Sequence, residues 1–111
     1  MSTITTHVLD TSRGQPAAGV SVTLEFLAED GWKWVGGGRT NDDGRVPDLF
    51  GGEVSYGTYR LTFDTGSYFA SSDTEGFFPL VQLAFTVHDP SRDHHVPLLL
   101  SPYGYSTYRG S

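Results

Sequence analysis

The sequence has no cysteine, one methionine and few basic side chains. Seven of its 111 residues are Lys or Arg and thirteen are Asp or Glu, which gives a formal net charge of −6. Without cysteine, disulfide bonds, thiolate metal ligands and cysteine nucleophiles are excluded. The shortage of basic residues argues against partners such as nucleic acid or an anionic membrane. It does not exclude a small anionic substrate, because a local pocket can be basic on an acidic protein.

Long apolar runs are also missing. No stretch approaches the roughly 20 apolar residues of a membrane helix. Residues 1–7 lack the basic patch and apolar run of a secretory signal, so a cytoplasmic location is expected. The length and the ordinary composition, 37% hydrophobic and 14% aromatic, predict one domain across residues 1–111.

The dominant pattern that is present is alternation of polar and apolar residues. It runs through 21–26, 58–64 and 81–87, as in half-buried strands, and fourteen glycines and six prolines separate the runs. Strands are predicted near residues 3–9, 20–28, 32–40, 45–48, 57–65, 80–88, 94–101 and 104–109, with a short helix at 68–73. This spacing predicts an all-β sandwich.

Three histidines and one arginine are candidates for chemistry. The imidazole of His7 titrates near neutral pH and suits acid–base work, although a lone strand histidine is more often structural. Arg45 follows a turn, and its guanidinium offers a planar fork of donors for an anion or a carbonyl. Without other evidence, this position indicates an ordinary solvated arginine. Strand neighbours point to opposite faces, so only one of His94 and His95 can reach a shared pocket. We expect the other to be solvated.

A metal site and a serine site are two further possibilities. Zinc-type ligands are supplied by His7, His88, Asp89, Asp93, His94 and His95, but no pair has the spacing of a zinc motif, and no metal site is expected. Ser111 carries a hydroxyl and the chain carboxylate together. It lacks the Gly-x-Ser-x-Gly context of a nucleophilic serine, so an orienting role suits it better than nucleophilic attack.

Several motifs, in order, carry a resemblance to a known family. They are Thr-His-Val-Leu-Asp-Thr at 6–11 with Gly-Gln-Pro-Ala at 14–17, Asn-Asp-Asp-Gly-Arg at 41–45, His-Val-Pro-Leu-Leu-Leu-Ser-Pro at 95–102, and Gly-Tyr-Ser-Thr-Tyr-Arg-Gly-Ser at 104–111. Together they resemble the 5-hydroxyisourate hydrolases of the transthyretin-like family over nearly the whole chain.

The resemblance implies a transthyretin-like β-sandwich of two four-stranded sheets with one short helix. It implies hydrolysis of 5-hydroxyisourate to 2-oxo-4-hydroxy-4-carboxy-5-ureidoimidazoline in urate degradation. It also implies no metal or organic cofactor and a homotetramer with active sites at subunit interfaces. The family's catalytic positions correspond to His7, Arg45, His95 and Ser111. The substrate is expected to contact His7, Arg45, Tyr108, Arg109, Gly110 and Ser111.

One departure and three alternatives stand beside this interpretation. The family commonly has His-Tyr-His before Val-Pro, where this chain has Asp93-His94-His95. That puts a neighbouring contact in doubt and keeps the second histidine as His95. The main alternative is a non-catalytic transthyretin-like carrier of a small ligand. A β-sandwich adhesion domain and a metallohydrolase are the others; activity that survives chelation would dispose of the metallohydrolase.

Overall fold

The strands and the helix follow from the alternation and the turn residues. The computed structural model describes residues 2–110. Its elements are β1 (Ile4–Asp10), β2 (Gln15–Pro16), β3 (Ser21–Ala28), β4 (Gly31–Arg39), β5 (Gly57–Phe63), α1 (Thr65–Ser71), β6 (Val81–Val87), β7 (His94–Ser101) and β8 (Gly104–Thr107). In this part of the chain, no helix is both long and apolar enough to cross a membrane.

The strands form two four-stranded sheets, in the orders β2-β1-β7-β8 and β4-β3-β5-β6. This confirms the predicted sandwich with one short helix. Every strand pair is antiparallel except β1 with β7, which run parallel over seven residue pairs from Ile4–His94 to Asp10–Leu100. The parallel pair brings the beginning of the described chain against a strand about 90 residues later.

The core lies between the inner faces of the two sheets. In β1, alternate residues from Ile4 to Asp10 are buried, and in β7 the inward set includes Val96, Leu98 and Leu100. Tyr59 of the second sheet packs edge-on against Phe26, with ring centroids 4.9 Å apart. Pleated strands place alternate side chains on one face, so each sheet is left with a second, outer face of more polar residues.

Three sequence-based assignments were wrong in detail. Residues 45–48 do not form a strand: only Arg45 makes an isolated bridge, because Pro47 has no N–H to donate and Asp48 has a φ of 56°. The fourth strand of the first sheet is instead β2, which lies where no strand was predicted. The helix begins at Thr65, three residues before the predicted start, because the Asp64 carboxylate caps it by accepting from the Ser67 N–H at 3.1 Å.

A buried carboxylate joins β1 to the helix. Asp10 is 2% exposed. It accepts from the backbone N–H groups of Ser12 and Arg13, from the Ser12 hydroxyl at 2.7 Å and from the Tyr68 hydroxyl at 2.7 Å. Burial alone would raise the pKa of Asp10, but the hydrogen bonds outweigh burial and hold the pKa below its usual value. The ionised form therefore ties the end of β1 to α1.

Replacing this carboxylate by an amide tests the tie. Asp10→Asn should lower the free energy of unfolding at pH 7 by about 2 kcal/mol, because hydrogen bonds to a buried charged group are lost or weakened. A depressed folded-state pKa gives stability that is complete above the unfolded-state value, about 3.9, and that is lost as the pH falls through the folded-state value. The wild-type advantage over the variant in urea unfolding should therefore shrink as the pH drops below about 4.

Asp89→Asn is the matched control. Asp89 also accepts from a following serine, through the Ser91 backbone N–H and hydroxyl, but it is exposed. Its replacement should cost less than that of Asp10. An Asp10→Asn protein as stable as wild type at pH 7 would contradict the structural role of the buried carboxylate.

Candidate functional site

Two of the predicted histidines share the outer face of the first sheet. The parallel register sets Thr5 beside His95 and His7 beside Pro97. His7 and His95 are therefore diagonal neighbours on adjacent strands, and both are half-buried. The sequence left the direction of His7 open; the structure places its ring on the same face as that of His95.

Arg45 is brought to this face by a tight turn. The Asn41 side-chain oxygen accepts from the backbone N–H groups of Asp43 and Arg45, at 3.0 and 3.1 Å. Gly44 has a φ of 77°, which favours glycine, and its carbonyl accepts from the Val8 N–H at 2.8 Å. A β-carbon at Gly44 would collide with the Val8 carbonyl. The turn thus joins the free edge of β1, where Arg45 bridges the backbone of His7.

On the other side of β7, the end of the described chain meets His95. The Gly110 N–H donates to the His95 carbonyl at 2.7 Å. A β-carbon at Gly110 would lie 2.5 Å from the His95 ring atom Cδ2. Glycine is therefore required here because the backbone itself lies against the imidazole. Ser111 follows directly in the sequence and lies outside the described residues.

The electrostatic setting keeps His95 neutral. Burial lowers the pKa of His95, and the positive charges of Arg45 and His7 lower it further. Its Nδ1 is 2.8 Å from the hydroxyl oxygen of Thr5. At neutral pH this imidazole is therefore uncharged, and one ring nitrogen is engaged by the protein. A neutral, oriented imidazole beside a guanidinium can take a proton from water while a developing negative charge is stabilised.

Tyr108 and Arg109 are exposed. They line a cavity of about 380 Å³ at the open edge of the sandwich, together with His95 of β7 and Phe85 of β6. The structure thus brings His7, Arg45, His95 and Gly110 together, and it places Tyr108 and Arg109 in the lining of a cavity that also includes His95. Their predicted contact with substrate stays a prediction.

His94 corrects one expectation. It was expected to be solvated, but it is 5% exposed, and its Nδ1 has no hydrogen-bond partner among the described residues. The inward direction follows from the alternation that turns His95 outward. Within residues 2–110, no group of three or more His, Asp or Glu side chains is placed to hold a metal ion.

The glycine run of β4, to which the sequence assigned no function, supports the Arg45 segment. A β-carbon at Gly36 would overlap the Leu49 carbonyl, and one at Gly38 would lie 2.7 Å from a Val46 methyl carbon. Residues 46–50, which follow Arg45, therefore cross directly over the β4 backbone. Thr5 is the other site residue that the sequence did not indicate. Its contact with His95 depends only on the register of β1 against β7.

The fold and the site define a class: an all-β sandwich with two imidazoles and a guanidinium on the outer face of one sheet. The chain belongs to the HIUase/Transthyretin family, whose model matches residues 4–110. A relative described as 5-hydroxyisourate hydrolase from Salmonella dublin is 44% identical over 97% of this chain and 80% of its own length.

Solved structures agree with this membership. The crystal structure of an (S)-allantoin synthase superimposes with a TM-score of 0.88 at 43% identity. The match covers 97% of this chain and 43% of the longer synthase chain. Sea bream transthyretin in complex with thyroxine superimposes with a TM-score of 0.90 at 28% identity, over 96% of this chain and 93% of that one. The fold is therefore shared by proteins described in different functional terms, and the site has to carry the functional argument.

The crossing over β4 generates a stability prediction. Gly36→Ala should lower the free energy of unfolding by about 1–3 kcal/mol, because the added methyl group forces the Leu49 segment away from the sheet. Gly51→Ala is the control, since a β-carbon there has nothing within 4 Å, and its effect should stay within about 0.5 kcal/mol. Urea unfolding of both variants measures the difference; equal stabilities would show that residues 46–50 do not need the glycine.

Proposed function

We propose that this chain hydrolyses 5-hydroxyisourate to 2-oxo-4-hydroxy-4-carboxy-5-ureidoimidazoline in urate degradation. The observation that carries the proposal is the neutral, half-buried His95 beside His7 and Arg45, with one ring nitrogen held by Thr5. The family membership and the 44% identity to a hydrolase support it. The reaction opens a ring amide with water and uses the chain's own side chains, without a cofactor.

Water attack is assigned to His95. Water is a weak nucleophile, so the neutral imidazole takes its proton as the oxygen bonds to the ring carbonyl. The carbonyl becomes a tetrahedral oxyanion, and the fixed guanidinium of Arg45 stabilises that charge. The carbon–nitrogen bond then breaks, and the departing ring nitrogen takes a proton from the imidazole pair, with His7 as the second member. The new carboxylate can be held by the same guanidinium.

The closing residues are proposed to hold the substrate. Gly110 lies against the His95 ring, and Ser111 is the next residue in the sequence. We propose that Ser111 orients the substrate or the water through its hydroxyl. Tyr108 and Arg109, at the edge of the sandwich, complete the binding surface.

An interface is proposed to close this site. Arg45 is exposed and the two histidines are half-buried, so the cluster lies on an open face of the single chain. Electrostatic stabilisation is far stronger where water is excluded. We propose a homotetramer in which a second subunit covers this face. One-domain organisation and a cytoplasmic location also stay predictions, testable by limited proteolysis and by cell fractionation.

The carrier alternative requires no base. A ligand-binding channel gains affinity from apolar surface and a few polar groups, whereas a neutral imidazole beside a guanidinium is suited to attack on a carbonyl. The decay of ultraviolet absorbance of freshly generated 5-hydroxyisourate separates the two functions. Decay no faster than the spontaneous rate would leave the carrier standing.

The proposed base gives a mutational prediction. His95→Ala should lower kcat/KM for 5-hydroxyisourate by about 10²–10⁴-fold, the usual contribution of a general base. Because the base works in its neutral form and its pKa lies below 6.5, wild-type kcat/KM should rise with pH and reach half its plateau below pH 6.5. Stopped-flow absorbance across the pH range measures both effects.

Arg45→Gln is the companion variant. Removing the guanidinium charge raises the pKa of His95, so the acid limb should move to higher pH, while lost oxyanion stabilisation lowers the plateau. Arg109→Gln removes an exposed positive charge from the edge of the sandwich and should leave the acid limb in place. Wild-type turnover in His95→Ala would overturn the assignment of the base.

The interface gives a separate prediction. Light scattering on the purified chain should give the mass of four copies, and dilution to subunit concentrations where the assembly dissociates should lower the specific activity in parallel. A fully active monomer would contradict a site that a second subunit must close.

A further inference from the structure

The hydroxyl of Thr5 contacts the proposed base from a neighbouring strand. Thr5 Oγ1 and His95 Nδ1 are 2.8 Å apart although the residues are 90 positions apart in the sequence. They face each other because the parallel register of β1 with β7 pairs these two residues directly. Both side chains lie on the outer face of the first sheet, so the contact joins two strands and involves no loop.

A second contact holds the opposite edge of the same ring. Nδ1 and Cδ2 are the two ring atoms bonded to Cγ, one on each edge of the imidazole. Nδ1 is at Thr5, on the β1 side, and Cδ2 is at the Gly110 backbone, on the other side of β7. A half-turn flip of the ring would exchange these two atoms and lose the hydrogen bond. The Thr5 hydrogen bond thus selects one ring orientation, with Cδ2 toward Gly110 and Nε2 on the edge farthest from the β7 backbone.

We propose that Thr5 is a positioning residue that keeps the proton of neutral His95 on Nδ1. In this arrangement the Nδ1–H donates to the Thr5 oxygen, and the Nε2 lone pair is free to take a proton from water. A hydroxyl can also donate, in which case Nε2 would carry the proton and could not act as a base. The catalytic consequence rests on the proposed function, whereas the location of the proton does not.

The charges that face His95 are consistent with this assignment. Burial of the ring, and then the charges of Arg45 and His7, disfavour a second proton, so the ring is neutral and its single proton lies on either Nδ1 or Nε2. A hydroxyl oxygen 2.8 Å from Nδ1 can accept from an Nδ1–H and so stabilise the proton on that nitrogen. One net hydrogen bond corresponds to about a tenfold change in the tautomer ratio.

The test compares Thr5→Val with Thr5→Ser. Valine has nearly the same shape without the hydroxyl, and serine restores the hydroxyl. Thr23→Val is the matched control, because Thr23 is an exposed strand threonine on the second sheet. The ring nitrogen chemical shifts of His95, measured by NMR on isotope-labelled full-length protein at neutral pH, report which nitrogen carries the proton.

The expected result has two parts. In wild type the proton is on Nδ1, and in Thr5→Val it moves substantially to Nε2, with Thr5→Ser and Thr23→Val resembling wild type. In the hydrolysis assay Thr5→Val should lose about tenfold in kcat with KM changed less than about twofold, and Thr5→Ser should recover most of the loss. A general loss of stability would not shift the tautomer while leaving KM intact.

Two results would overturn the proposal: a proton on Nε2 in the wild type, or a tautomer unchanged in Thr5→Val. If Thr5→Val does not fold, the wild-type shifts and the Thr5→Ser comparison still decide where the proton is. If the tautomer depends on Thr5 but no variant, nor wild type, accelerates 5-hydroxyisourate decay, the positioning of His95 stands and the proposed function fails.

Discussion

The parallel pairing of β1 with β7 is the interaction on which the rest of the structure depends. It aligns seven residue pairs across about 90 positions of sequence. Because strand residues alternate between faces, one register decides both faces at once. Inward, it sets Ile4 and Val8 into the core beside β7; outward, it sets Thr5 against His95 and His7 one step along. A slip of β1 by one residue would turn Thr5 and His7 into the core and expose Ile4 and Val8.

Other segments complete the site only where glycine lets backbone approach. Gly44 allows the Arg45 turn to hydrogen-bond to the edge of β1, and Gly110 lies on the His95 ring. Gly36 lets the segment after Arg45 cross the second sheet. None of these glycines carries a reactive group. Each contributes by having no β-carbon. These glycines therefore determine where the Arg45 guanidinium and the His95 imidazole lie.

Alternation predicted β3, β5 and β6 almost to the residue, since their apolar positions repeat every second residue over most of their length. β7, whose residues 96–100 are a continuous apolar run, was also predicted with its observed bounds. Alternation failed where strand formation depends on pairing with another strand. Gln15 and Pro16 form a strand only because they pair with β1. Residues 45–48 do not form one because Pro47 has no N–H to donate. For the site, the motif at 41–45 and the histidines indicated the chemical groups. Their geometry, and the part played by Thr5, depend on long-range register that no local pattern contains.

Three basic groups lie close together on a chain of net charge −6, and their proximity affects which of them is charged. Bringing His7, Arg45 and His95 together costs Coulomb energy if all are charged, and the group that can give up its charge most readily is a half-buried imidazole. Burial lowers the pKa of His95 first, and the charges of His7 and of Arg45, which stays protonated at any accessible pH, lower it further. The same crowding therefore leaves a permanent cation for a negative intermediate and a neutral base for water. The hydroxyl of Thr5 engages the one ring nitrogen that must not take the proton from water, so orientation and charge state are set by different neighbours of a single side chain.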